Sequence, residues 1–114
     1  MTLDAFLKKL NDTPDAVTFD DTMAAIGDAY EFTPTAFANG EMKNEAGQNS
    51  GSCKVFAFGL LNGLSEAQTL ACFGAYYRED VLKHPEGTDH QNIRNFMKSG
   101  WAGVKFEGTA LRRK

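Results

Sequence analysis

The sequence predicts an α+β fold: one mostly helical domain over residues 1–114, with about five helices and a small antiparallel sheet of two or three strands. Three observations predict it. Apolar residues recur at helical spacing through the first thirty positions. The pairs Thr18–Asp21, Ser65–Gln68 and Thr88–Gln91 each have the spacing of a capping box, which marks a helix start. Asn39-Gly40 lies between two short runs, the pattern of a tight hairpin.

Taken in order, Leu3, Phe6, Leu7 and Leu10 predict a first helix from a Thr2 cap to about Leu10, stopped by Asn11, Thr13 and Pro14. Thr18 opens the second helix. Asp20 and Asp21 suit its positive first turn, and Phe19, Met23, Ile26 and Tyr30 form its buried face. Phe32-Thr33-Pro34 ends it, because the residue before proline is pushed towards extended backbone. Two short strands, 35–38 and 41–44, then flank a type I′ turn at Asn39-Gly40. VFAFGLL is apolar on all sides. With Ser50 as cap and Asn62-Gly63 as stop, residues 51–62 predict a buried central helix. Ser65 opens the next helix, which carries Leu70, Phe73, Tyr77 and Val81 on one face and pairs with the central helix as an antiparallel hairpin. After the loop His84-Pro85-Glu86-Gly87, Thr88 caps a last helix with Ile93, Phe96 and Met97 inward and Ser99-Gly100 as its end. Residues 101–107 predict a third strand joining the hairpin.

Composition narrows the function classes. Of 114 residues, 42% are hydrophobic and nine are Phe, enough for a ring-rich core without disulfides. The net charge of −3 and pI near 5.3 argue against a nucleic-acid partner, which needs a basic face. The one basic cluster, Arg112, Arg113 and Lys114, reads as a solvated end. Cys53 and Cys72 have no CxxC spacing and read as thiols of a reducing compartment. No apolar run nears the roughly 18 residues of a membrane span, and charges interrupt MTLDAFLKKL, so it is not a signal peptide. A cytoplasmic location without membrane attachment is expected.

The stretch NEAGQNSGSCKVFAFGLLNGLSEAQTLACFG, followed by TDHQNIRNFMKSGWAGVKFEG, closely resembles the HopJ type III effector protein family. TFDDTMAAI and FTPTAF extend the likeness over nearly the whole chain, and the AGQN and TDHQNIRNFM blocks are its most specific parts. The family takes its name from effectors that plant-pathogenic bacteria deliver into host cells. The resemblance therefore implies a bacterial protein and, if it is exported by type III secretion, a host protein as partner. It brings with it no enzymatic activity and no catalytic residue set.

The residues themselves offer two chemistries. In the first, the AGQNSGS loop and the TDHQN helix start converge on one polar pocket that binds a small polar ligand or a protein. Its residues are Glu45, Gly47, Gln48, Asn49, Ser52, Asp89, His90 and Asn92, with Tyr76 at the surface lining it and Trp101 packed against the AGQN loop. Amides and hydroxyls suit recognition, and the two glycines of GQNSGS before a helix start suit a nest for phosphate or carboxylate. In the second, Cys53 at the third position of the central helix is a nucleophile, its thiolate favoured by the helix dipole, with His90 as base and Gln48 as oxyanion donor. The order Gln, Cys, His, Asn is similar to that of papain-like peptidases. The plainer reading of Cys53 is a small core hydrophobe, and the amide-rich segments favour binding over catalysis. His84, Asp89 and His90 match no standard metal spacing; neither a metal nor a cofactor is expected.

Overall fold

A computed structural model describes residues 2–114. Helix α1 spans Leu3–Asp12 and α2 spans Phe19–Ala29, joined by a 3₁₀ turn at Pro14–Ala16. Strands β1 (Tyr30–Phe32), β2 (Phe37–Asn39) and β3 (Met42–Asn44) follow, then α3 (Ser50–Asn62) and α4 (Glu66–Ala71). A π-helical segment, Tyr76–Val81, leads to α5 (Gln91–Ser99), a 3₁₀ turn at Gly100–Gly103, β4 (Val104–Phe106) and β5 (Leu111–Arg113).

The expected caps at the first two helices are present. The Thr2 hydroxyl accepts from the Ala5 N–H at 3.2 Å. Thr18 and Asp21 form the reciprocal box, each side chain taking the other's backbone N–H. The face of α2 is rotated slightly from expectation. Thr22, Ala25, Ile26 and Ala29 are buried, while Phe19 and Met23 stay partly exposed.

The sheet differs from expectation in register and in number. Asn39 pairs with Met42, so the turn is centred on Gly40-Glu41 and not on Asn39-Gly40. Gly40 takes φ 63° while Glu41 keeps a negative φ, which is the glycine-first turn of a two-residue hairpin and not type I′. Asn39 is thereby drawn into the strand and fully buried. The expected third strand is present only over Val104–Phe106, since Trp101 lies in the 3₁₀ turn before it; this β4 pairs with β2 to give the order β3-β2-β4. A second sheet, β1 against β5, was not expected. It takes in the basic tail: Arg112 and Arg113 pair with Glu31 and Tyr30, and Lys114 Nζ donates to the Gly27 carbonyl at 2.7 Å. The charged tips remain solvated, but the backbone beneath them is strand.

Helix α3 is the centre of the molecule. Cys53 and the run Val55 to Gly59 are buried, and the helix touches α2, α4 and β5. Phe56 is wholly enclosed, its ring against Phe37, Phe73, Phe96 and Trp101. The helix ends at Gly63, φ 61°, where the Gly63 and Leu64 N–H groups turn back to the Leu60 and Gly59 carbonyls.

The following helix is much shorter than expected. The Ser65–Gln68 box forms, but α4 ends at Ala71 instead of running on to Val81. Gly74 has φ 62°, and a Cβ there would lie 2.6 Å from the Phe19 backbone nitrogen. The chain must break where it meets the start of α2. The Thr22 hydroxyl donates to the Cys72 carbonyl at 2.8 Å, satisfying an acceptor exposed by the break. Beyond it the backbone is wound one residue wider, as the 2.9 Å bond from Leu82 N to the Tyr77 carbonyl shows.

Two further expectations fail at α5. Thr88 is not its cap: the helix starts at Gln91 with His90 as N-cap, and the Gln91 amide donates to the Thr88 carbonyl. Met97 faces outward, while Ile93 and Phe96 are buried as expected.

Candidate functional site

An open cavity of about 430 Å³ lies where the starts of α3 and α5 approach each other. Asn49, Gly51 and Ser52 enter from one side, and His90, Gln91, Asn92 and Ile93 from the other. Phe19, Met42, Phe73 and Tyr76 supply its apolar wall.

Four asparagines tie the two segments together. The buried Asn39 amide donates to the Asn92 carbonyl at 2.7 Å and to Asn92 Oδ1 at 3.0 Å. Asn92 Nδ2 donates to Asn44 Oδ1 at 3.0 Å, and Asn44 Nδ2 returns to Asn92 Oδ1 at 3.3 Å. Asn49 Nδ2 closes the set on Asn44 Oδ1 at 2.7 Å. One acceptor of the set, Asn39 Oδ1, has no partner.

Both helices enter the cavity by an unusual N-cap. Asn49 (φ 50°) and His90 (φ 49°) are, among the described residues, the non-glycine positions with left-handed backbone. Neither side chain caps its helix, so the first-turn peptide N–H groups keep their donors unspent at the cavity edge. The helix cap thus falls at Asn49 instead of Ser50, and Cys53 occupies the fourth helical position instead of the third.

The expected site residues divide. Asn49, Ser52, Tyr76, His90 and Asn92 line the cavity. Glu45, Gly47 and Gln48 do not, because their loop closes on itself: Gln48 Oε1 accepts from the Glu45 N–H at 3.1 Å, and the Gln48 N–H donates to the Glu45 carbonyl at 2.9 Å. The Gln48 side chain is tied to its own loop through Oε1 and makes no hydrogen bond to Cys53. Trp101 also lies elsewhere: its indole N–H donates to the Leu64 carbonyl at 3.0 Å, and its ring packs on Phe56 and Phe96 rather than on the AGQN loop. Asp89 stands behind the cavity, its Oδ1 accepting from Arg94 at 2.7 Å. That bond holds the Asp89 carboxyl below the usual carboxylate range.

Cys53 is buried and its thiol donates to the Thr35 carbonyl at 3.6 Å. Burial pushes the thiol above its ordinary range, outweighing the opposing pull of that hydrogen bond and of Lys54. At the fourth helical position it lacks the free helix N–H that would favour a thiolate, since the Cys53 N–H already bonds the Asn49 carbonyl. His90 is turned to other partners, with Nε2 3.0 Å from Asp80 Oδ2 and its ring 5.1 Å from that of Tyr76. The thiol–imidazole contact of a cysteine nucleophile is not formed. Cys72 is enclosed as well, its thiol pushed up to about 12 by burial.

Sequence reasoning missed Asn39, Asn44 and Asp80. The alternation of Phe37 and Asn39 along β2 is a signal that could have placed Asn39 inward. Nothing in the sequence marks Asp80, which meets His90 from within the π-helical segment.

Comparison with other proteins agrees with this architecture. The sequence model of the HopJ type III effector protein family matches residues 3–111. The crystal structure of VPA0580, a protein of unknown function, is similar at 59% identity over 100% of this chain and 95% of its own, with a TM-score of 0.99. No curated protein matches. With the family match spanning nearly the whole sequence, the chain belongs to the HopJ type III effector protein family.

Proposed function

We propose that this chain is a binding module that takes a small polar molecule into the cavity between α3 and α5. The observation that carries this reading is the meeting of two helix N-termini, neither capped by a side chain, at one open cavity. Their unspent N–H groups and positive dipole ends favour the oxygens of a carboxylate or phosphate. The rings of Phe19, Phe73 and Tyr76 offer an apolar wall to the rest of the ligand. The buried asparagine set holds both helix starts in place before anything binds, which lowers the ordering cost of association.

The test is an amide NMR titration with inorganic phosphate, acetate and benzoate. The N–H signals of Gly51, Ser52, Gln91 and Asn92 should move together, most with benzoate, and Tyr76→Ala should weaken benzoate more than phosphate. If none of these signals moves with any of the three, the reading fails.

The family description favours a second role, in which the chain is made in a bacterial cytoplasm and delivered to a host cell, with a host protein as partner. No helix among the described residues is long and apolar enough to cross a membrane. A translocation-reporter fusion expressed in a bacterium with a type III apparatus tests delivery. Equal signal with and without the apparatus would remove this role and leave the cavity reading intact.

A further inference from the structure

We propose that Asp80, Asp89 and His90 form a site for a divalent transition-metal ion of the zinc type, with a coordination position left open to solvent. The ligand-bearing atoms of these three side chains all lie within 4.8 Å of one another. His90 Nε2 is 3.0 Å from Asp80 Oδ2 and 3.7 Å from Asp89 Oδ2. Zinc bonds of about 2.0–2.2 Å in a tetrahedron put neighbouring ligand atoms about 3.4 Å apart, and the two distances bracket that spacing. Both carboxylate side chains are about half exposed and so free to adjust to a shared ion. One imidazole with two carboxylates selects zinc and its neighbours over calcium and magnesium, which prefer oxygen alone. Three protein ligands on an accessible surface leave the fourth position to water or a ligand atom.

A second feature, outside the three ligands, supports the site. Arg94, whose side chain is 10% exposed, staples the segments that carry both carboxylates. Its guanidinium nitrogens donate to the Asp80 carbonyl at 3.4 Å, the His84 carbonyl at 2.9 Å and the Asp89 carbonyl at 2.7 Å. It also takes Asp89 Oδ1 at 2.7 Å and so leaves Oδ2 directed at His90. Metal-bound carboxylates are held in this way from behind. The Tyr76 ring, tilted 36° against the imidazole, restrains it from the opposite side.

The site shares His90 with the cavity lining but rests on its own ligand geometry, whatever the cavity binds. Isothermal titration of Zn²⁺ into the full chain tests it, with Co²⁺ as a spectroscopic substitute. The expected result is saturable one-to-one uptake that shifts the His90 ring signals in NMR. His90→Gln and Asp80→Asn should each weaken it at least about tenfold, whereas Cys53→Ser should leave it unchanged. Asp80→Asn preserves the side-chain shape, and far-ultraviolet circular dichroism checks that both variants fold. The absence of saturable uptake by the folded wild-type chain overturns the proposal whatever the variants do. So does wild-type affinity in both variants, or a cobalt–thiolate absorption band.

Discussion

The ring cluster around Phe56 and the asparagine set around Asn92 are both buried, both assembled from distant segments, and adjacent in the fold. They hold the molecule by different physics. Phe56 meets four rings at centroid distances from 4.9 to 6.4 Å and at varied tilts. Most of the energy of such contacts comes from area removed from water, a term without direction. The amides of Asn39, Asn44, Asn49 and Asn92 satisfy one another only at particular distances and angles. The rings supply stability and tolerate small shifts. The amides supply little net energy but fix the register of β2 and β3 against the start of α5, and so the shape of the cavity.

The largest break in this comparison comes from Phe56→Ala, which opens a void at the point where four rings meet. It should cost about 3–5 kcal/mol in a denaturant melt and shift no single cavity amide preferentially. Asn92→Ala should cost about 2–3 kcal/mol, because it strands buried donors of Asn39 and Asn44. Its NMR shifts should concentrate at Asn49 to Ser52. Paired with Asn44→Ala in a double-mutant cycle it should show coupling of about 0.5–3 kcal/mol. Strict additivity would mean that the amides act singly, and the contrast with the rings would dissolve. Ser65→Ala, which removes one capping box outside both sets, should cost about 1 kcal/mol and leave the cavity amides unshifted.

Acid gives the smallest effect and sharpens the contrast, because neither the rings nor the amides titrate there. Asp21 has its carboxyl lowered from 3.8, first by its hydrogen bond from Lys9 and then by that from the Thr18 backbone. A carboxyl depressed on folding contributes in full above its unfolded value and loses that contribution as pH falls through the folded value. Asp21→Asn should therefore lose a few tenths of a kcal/mol at neutral pH and flatten the stability profile below about pH 4. An unchanged acid limb in urea melts would show that the Lys9 pair contributes nothing.

Much of the helical framework was legible because it rests on local rules. Thr2, Thr18 and Ser65 are caps whose partners lie three residues away, and such bonds form wherever the segment is helical. The Thr88–Gln91 spacing looked the same and failed. Its segment is recruited by Arg94, which takes the Asp89 carbonyl and carboxylate and moves the helix start to His90. The turn at Gly40 shifted by one residue for a similar reason. Asn39 has a buried partner in Asn92, 53 positions away, and that bond outweighs its turn preference. At the candidate site, Asn49, Ser52, His90 and Asn92 could be named from sequence because they sit at helix starts. Asn44 and Asp80 could not, since their partners are set by strand register and by a π-helical turn.

What the sequence determined by itself is the set of elements whose signals lie within one turn of helix: the capped starts, the apolar faces, the all-apolar central helix and a hairpin near Gly40. What only the tertiary structure decided is where those elements stop and which polar groups meet. The break at Gly74, the strand hidden in the basic tail, the burial of Cys53 and the approach of Asp80 to His90 each depend on a neighbour far along the chain. A local pattern cannot encode such a neighbour, because one residue's shift in register or winding changes which atoms face each other while leaving the pattern intact.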